Sequence, residues 1–193
     1  MNVALRKPMT REAFFAWAEA QEGRYEFDGV QPVAMTGGNL GHNVMTGNII
    51  EHLRRRLAGK PCRPLGPDAG VATIGQTVRY PDAVVTCSGF DLKTYLLPNP
   101  VIVFEVVSPT SFHMDHVVKL HEYQAVASIR RYIIVESDAA VVTHHARDQD
   151  GVAFESGKLA YSDTIRLPEI GIEIPVASIY EGTAFAQENG EPR

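Results

Sequence analysis

The stretch VIVFEVVSP, Val101–Pro109, places Glu105 inside an apolar run that otherwise reads as a buried strand. A carboxylate enters a protein interior only when it is paired, hydrogen-bonded or bound to a cation, because losing its water is costly. Glu105 therefore requires a partner. Asp82, in RYPDAVVTC, raises the same question at the entry to the apolar run Ala83–Cys87, where Pro81 favours an extended or turn backbone. Alone, Asp82 reads as a turn or capping residue. If the two strands pair as neighbours, however, both carboxylates converge, and they repel unless one is protonated or a cation lies between them. A divalent, oxygen-seeking ion such as Mg²⁺ or Mn²⁺ satisfies both.

The elements that would hold these acids follow from periodicity. MTREAFFAWAEA predicts a short helix capped by Thr10, with Phe14, Trp17 and Ala18 on its apolar side. RYEFDGVQPVAM predicts a hairpin turning at Asp28-Gly29, with Tyr25, Phe27, Val30 and Val33 as its apolar members. GHNVMTGNIIEHLRRRLAGK predicts a longer helix with a stripe of Val44, Ile49, Ile50, Leu53 and Leu57. The runs VATIG, AVVTC and VIVFEVV then supply strands, SFHMDHVVKLHEYQAVA a helix capped by Thr110 or Ser111, and RRYIIVES another buried strand. AVVTHHAR, VAFES and KLAYS resemble an antiparallel meander with turns at Asp150-Gly151 and Ser156-Gly157. PVASIYEG closes with a short helix, and the tail 186–193 is expected to fray, as are the first few residues. This order predicts an α/β (α+β) fold in which helices pack on a mixed sheet, over one domain spanning residues 1–193.

Composition narrows the functional classes. The chain lacks GxGxxG and P-loop patterns, which argues against a nucleotide cofactor. A net charge of −5 argues against coating nucleic acid through bulk electrostatics but permits a local basic patch. No run approaches a membrane span, and no leader pattern opens the sequence, so the expectation is a soluble, cytoplasmic protein without a membrane partner. Cys62 and Cys87 have no CxxC spacing and are read as small buried apolar residues rather than a disulfide or zinc site.

RYEFDGV, GH, PDAVV, VFEVVSPTS, D-x-x-x-K-x-x-x-Y and RRYIIVES occur in this order from about Met9 to Tyr180. The ordered set closely resembles the bacterial Uma-two family, described as putative restriction endonucleases, a branch of the PD-(D/E)XK nuclease superfamily. The resemblance implies a restriction-endonuclease-like core that cuts nucleic acid, most simply DNA, with Mg²⁺ or Mn²⁺. It implies Asp82, Glu105 and the backbone carbonyl of Val106 as metal ligands. Lys119 would orient or deprotonate the attacking water or stabilise developing charge. Glu26 would assist a second metal or hold Lys119, and His42 would touch phosphate or an outer-shell water.

One departure matters. The wider superfamily carries E-x-K on the acidic strand, whereas Glu105-Val106-Val107 puts valine there. The resemblance moves the lysine to Lys119 on the following helix. On an ideal wheel Asp115, Lys119 and Glu122 share a face, so a solvated ion pair between Asp115 and Lys119 is the competing reading. HLRRRLAGK offers Arg54 and Arg55 as phosphate contacts, against the alternative of a solvated helix face. His113 and His116 lack a third ligand, and His144 and His145 would point to opposite faces of a strand. Three functional classes remain: a metal-dependent phosphodiesterase, expected to be a homodimer, an inert nuclease-fold binding or scaffold protein, and, behind both, a metal-free hydrolase using Glu26 and Glu105 as acid and base.

Overall fold

The structure is a computed structural model that describes residues 9–108, 111 and 113–188. Its centre is a mixed six-stranded sheet in the order β10-β9-β8-β7-β6-β3. The strands are β3 (Arg63–Leu65), β6 (Ala83–Thr86), β7 (Pro100–Val107), β8 (Arg131–Glu136), β9 (Val141–Arg147) and β10 (Phe154–Ala160). β7 and β8 are parallel and every other pair in the sheet is antiparallel. The parallel step needs a crossover, which a π-helical segment, Met114–Lys119, and the helix α3, Leu120–Gln124, provide.

β7 is central and covered on both faces, which is why its sequence is continuously apolar rather than alternating. On one face Ile102, Phe104 and Val106 pack with Met45, Ile49 and Leu53 of α2 (Leu40–Leu57) and with Ile174 and Ile179. The last two belong to the hairpin of β11 (Thr164–Leu167) and β12 (Ile172–Pro175) and to α4 (Val176–Ile179). On the other face Val103 and Val107 pack with Tyr123, Ile129, Tyr132 and Ile134. A second, four-stranded sheet has the order β2-β1-β5-β4, from β1 (Tyr25–Phe27), β2 (Pro32–Ala34), β4 (Val71–Ala72) and β5 (Val78–Arg79). Phe27 and Val78 in this sheet bury Phe14 of α1 (Arg11–Ala18), whose cap is Thr10 as expected. The α/β class, the flanking helices and the N-terminal helix and hairpin therefore all stand as read.

Several local expectations are corrected. Cys62 and Cys87 form a disulfide, because Arg63 pairs with Thr86 and the two flanking cysteines face each other with Cα atoms 3.9 Å apart. Their spacing in the sequence conceals a juxtaposition that only the β3–β6 register creates. Ser156-Gly157 is not a turn. Both residues lie within β10, opposite His145 and His144, and a Cβ on Gly157 would come within 2.5 Å of the His144 ring. On α2 Met45, not Val44, joins the buried stripe, while Val30 and Val33 of the hairpin face solvent. Residues 184–188 form a further helix, α5, with Ala186 buried, so this part of the expected tail is structured. Thr110, one of the two proposed caps, lies outside the described residues. The other, Ser111, folds back onto Ser108, its Oγ accepting from the Ser108 amide at 3.2 Å.

Candidate active site

The register explains how the two acids meet. Ala83 pairs with Phe104, and one further step along the same antiparallel ladder sets Asp82 opposite Glu105, with both side chains on one face. Asp82 lies one residue before β6, and its Oδ2 accepts a hydrogen bond from the Val106 amide at 2.7 Å. The N–H and C=O of a strand residue project to the same edge, so the Val106 carbonyl also faces the Asp82 side. The N-terminal end of α2 reaches the same point from one face of the sheet, and the π-helical segment reaches it from the other. His42 Nε2 donates to Asp82 Oδ2 at 3.2 Å. Its ring lies against Gly38, where a Cβ would come within 2.4 Å of the imidazole, so position 38 admits no side chain without displacing His42.

Glu105 is 5 % exposed. Its Oε1 accepts from Lys119 Nζ at 2.8 Å and from the Tyr123 hydroxyl at 3.0 Å. Lys119 is itself held between three acids: Glu105, Asp115 at 3.1 Å and Glu26 at 3.7 Å. Asp115 and Lys119 are thus an ion pair four residues apart, but a buried one. Asp115 and Lys119 on the π-helical segment and Tyr123 on α3, each four residues from the next, share a face that is turned into the sheet and not to solvent. Glu26, on β1, is tied at both oxygens. Oε2 accepts from Arg79 Nη1 at 3.0 Å and Oε1 from the Tyr80 amide at 3.2 Å. Arg79, 3 % exposed, also grips Glu122 through Nε and Nη2, each at 2.7 Å.

Of these groups His42, Asp82, Glu105, Val106, Asp115 and Lys119 line a cleft of about 540 Å³, together with Arg24, Asn39 and Tyr80. Burial raises Glu105, to about 8, with Lys119 pulling it down and Asp82, Asp115 and Glu26 pushing it up. Lys119 is held above the usual lysine range: its carboxylate neighbours, Glu105 foremost, outweigh the burial that opposes its charge. The hydrogen bond to Asp82 raises His42 against the opposing effect of burial.

The family model of Uma2, described as putative restriction endonuclease, matches residues 11–177. The chain belongs to the Uma2 family. It is also 28% identical over 179 residues to an uncharacterized protein of Synechocystis sp., covering 92% of this chain and 94% of that one. In fold it is similar to the crystal structure of a putative nuclease belonging to DUF820 from Anabaena variabilis. The TM-score there is 0.72 at 12% identity, over 90% of this chain and 98% of that one.

The donor set of the Uma2 chain fits a hard divalent ion. Five carboxylates, from Glu26, Asp82, Glu105, Asp115 and Glu122, are gathered around only two permanent cations, Arg79 and Lys119. Even a charged His42 leaves the cluster negative. Asp82 and Glu105 each have one oxygen taken by protein donors, and among the described residues no protein hydrogen bond reaches Asp82 Oδ1 or Glu105 Oε2. No group of three or more His, Cys, Asp or Glu side chains fit to hold a metal occurs among the described residues. Two carboxylates and a carbonyl suit Mg²⁺ or Mn²⁺, which retain several waters, better than a closed zinc site.

Asp82, Glu105, Val106, Lys119, Glu26 and His42 therefore come together. Arg54 and Arg55 do not. They lie near the far end of α2, about 18 Å along its axis from His42, where Arg55 pairs with Glu51 on the exposed face. An arginine that does reach the cleft is Arg24, which pairs with Asp68. Sequence reasoning passed over Arg24, Arg79 and Tyr123. Tyr123 stood in the D-x-x-x-K-x-x-x-Y motif without a role, and the signal for Arg79 was a charge two residues before Pro81 in a β-rich stretch.

Proposed function

We propose that the chain is a Mg²⁺- or Mn²⁺-dependent phosphodiesterase that cuts DNA as an endonuclease. One observation carries this reading: Glu105, buried on β7, and Asp82, half-buried just before β6, each keep at the wall of one cleft an oxygen that no protein hydrogen bond among the described residues reaches. Family membership supports a nuclease, and the family's description as putative restriction endonuclease favours DNA as substrate.

Asp82, Glu105 and the Val106 carbonyl would hold the ion. When bound, a divalent cation supplies a Lewis acid for a phosphate oxygen and lowers the pKa of an attacking water. The remaining work falls to the protein. Lys119, locked charged among three acids, is a poor base. It orients Glu105 and presents positive charge where the phosphoryl group becomes more anionic. Glu26, saturated by Arg79 and Tyr80, helps to fix Lys119 rather than bind a second ion. His42 sits beside Asp82, where its imidazole can hydrogen-bond a phosphate oxygen or an ordered water. Arg24 offers a phosphate contact at the cleft. Cutting both strands calls for two such sites, which a symmetric homodimer supplies.

The test is cleavage of supercoiled plasmid in Mg²⁺ or Mn²⁺. Glu105→Gln is expected to lose at least about a hundredfold in rate, and chelator to abolish cleavage. Equal cleavage by wild type and variant would remove Glu105 from the reaction, and full activity in chelator would reject the metal.

A further inference from the structure

Both hydrogen-bond donors to Glu105 act on the same oxygen. Lys119 Nζ and the Tyr123 hydroxyl reach Oε1 at 2.8 and 3.0 Å, and no protein donor among the described residues reaches Oε2. Tyr123 is fully buried, and its ring packs on Tyr132 with centroids 4.9 Å apart, so the hydroxyl has little freedom to swing away. A carboxylate with one oxygen committed to two donors offers a cation its other oxygen. Asp82 is constrained alike, its Oδ2 committed to the Val106 amide and His42.

This arrangement discriminates between hard cations. Mg²⁺ has a compact octahedral shell and is content with single carboxylate oxygens plus water, whereas Ca²⁺ takes six to eight oxygens and often grips a carboxylate by both. We propose that Tyr123 is a positioning residue that sets metal choice, by joining Lys119 in holding Glu105 Oε1 and so favouring a small octahedral ion over Ca²⁺. The inference rests on the metal-binding reading of the cleft and goes beyond it, since a purely structural role for Tyr123 predicts no change in selectivity when its hydroxyl is removed.

The experiment is calorimetric titration of the full chain with Mn²⁺ and, separately, Ca²⁺. The proteins are wild type, Tyr123→Phe and Tyr132→Phe, with folding checked by circular dichroism. Tyr132 is an apt control because it is equally buried but its hydroxyl donates to the backbone carbonyl of Asp115. Tyr123→Phe is expected to narrow the ratio of Mn²⁺ to Ca²⁺ affinity about tenfold, chiefly through tighter Ca²⁺ binding, while Tyr132→Phe keeps the wild-type ratio. An unchanged ratio in Tyr123→Phe, or the same change in both variants, would overturn the role of Tyr123 while leaving the metal site intact. Wild type that binds neither ion would instead reject the metal reading, and this inference with it. If Tyr123→Phe loses its fold, Tyr123→Met also removes the hydroxyl and gives the same readout.

Discussion

Arg79→Met is expected to destabilise the protein by about 3–5 kcal/mol, because it leaves two buried carboxylates without their shared cation. Arg79 joins Glu26 on β1 to Glu122 on α3, so a single guanidinium ties the small sheet to the helix that carries the site. Arginine suits this position because its side chain is planar, permanently charged and able to engage two carboxylates at once. The exposed pair Arg55–Glu51 is the contrast, with side chains 62% and 60% exposed. Arg55→Met should cost no more than about 1 kcal/mol. Urea unfolding of both variants against wild type measures the difference. A loss at Arg79 no greater than that at Arg55 would mean that the clamp does not hold the site together.

Between pH 4.5 and about 8 the ionisation of Glu105 should make the metal-free protein less stable as pH rises. Burial raises this carboxyl above its unfolded value, Lys119 only partly offsets the rise, and Asp82, Asp115 and Glu26 reinforce it. The folded state therefore retains a proton that the unfolded chain has released, and linkage gives a falling stability across that window. The contribution is complete below pH 4.5 and is lost as pH passes through the folded value. His145, buried and lowered to about 4, acts in the opposite sense below its ordinary value of 6.5, so the informative quantity is the difference between wild type and Glu105→Gln. Denaturant unfolding at pH 5 and pH 8 should show the glutamate-dependent fall in wild type alone. Saturating Mn²⁺ should diminish it, because a bound cation favours the ionised carboxylate. Identical pH profiles for wild type and variant would contradict the placement of Glu105 as a strained, buried acid.

The parts legible in the sequence were those in which one stretch carries its own contradiction. Glu105 within an apolar strand and Asp82 at the start of another announce a polar site, and the β6–β7 ladder brings them together as anticipated. Lys119 is singled out by family resemblance alone, since helical geometry equally allows a solvated pair with Asp115, and only the packing of that face against the sheet buries both. The role of Arg79 was hidden because its partners, Glu26 and Glu122, come from distant parts of the chain. The disulfide escaped for the same reason, its cysteines becoming neighbours only through strand register. Gly157 misled in another way. Glycine after serine signals a turn locally, yet here it leaves room for the His144 ring across the ladder.

The most direct test of the metal centre is calorimetric titration of Mn²⁺ into wild type and into Asp82→Asn/Glu105→Gln, in chelator-stripped buffer. The account predicts binding to wild type and its loss in the double variant. Binding that survives in the variant, or no binding to wild type even with duplex DNA present, would contradict a metal centre built on Asp82 and Glu105.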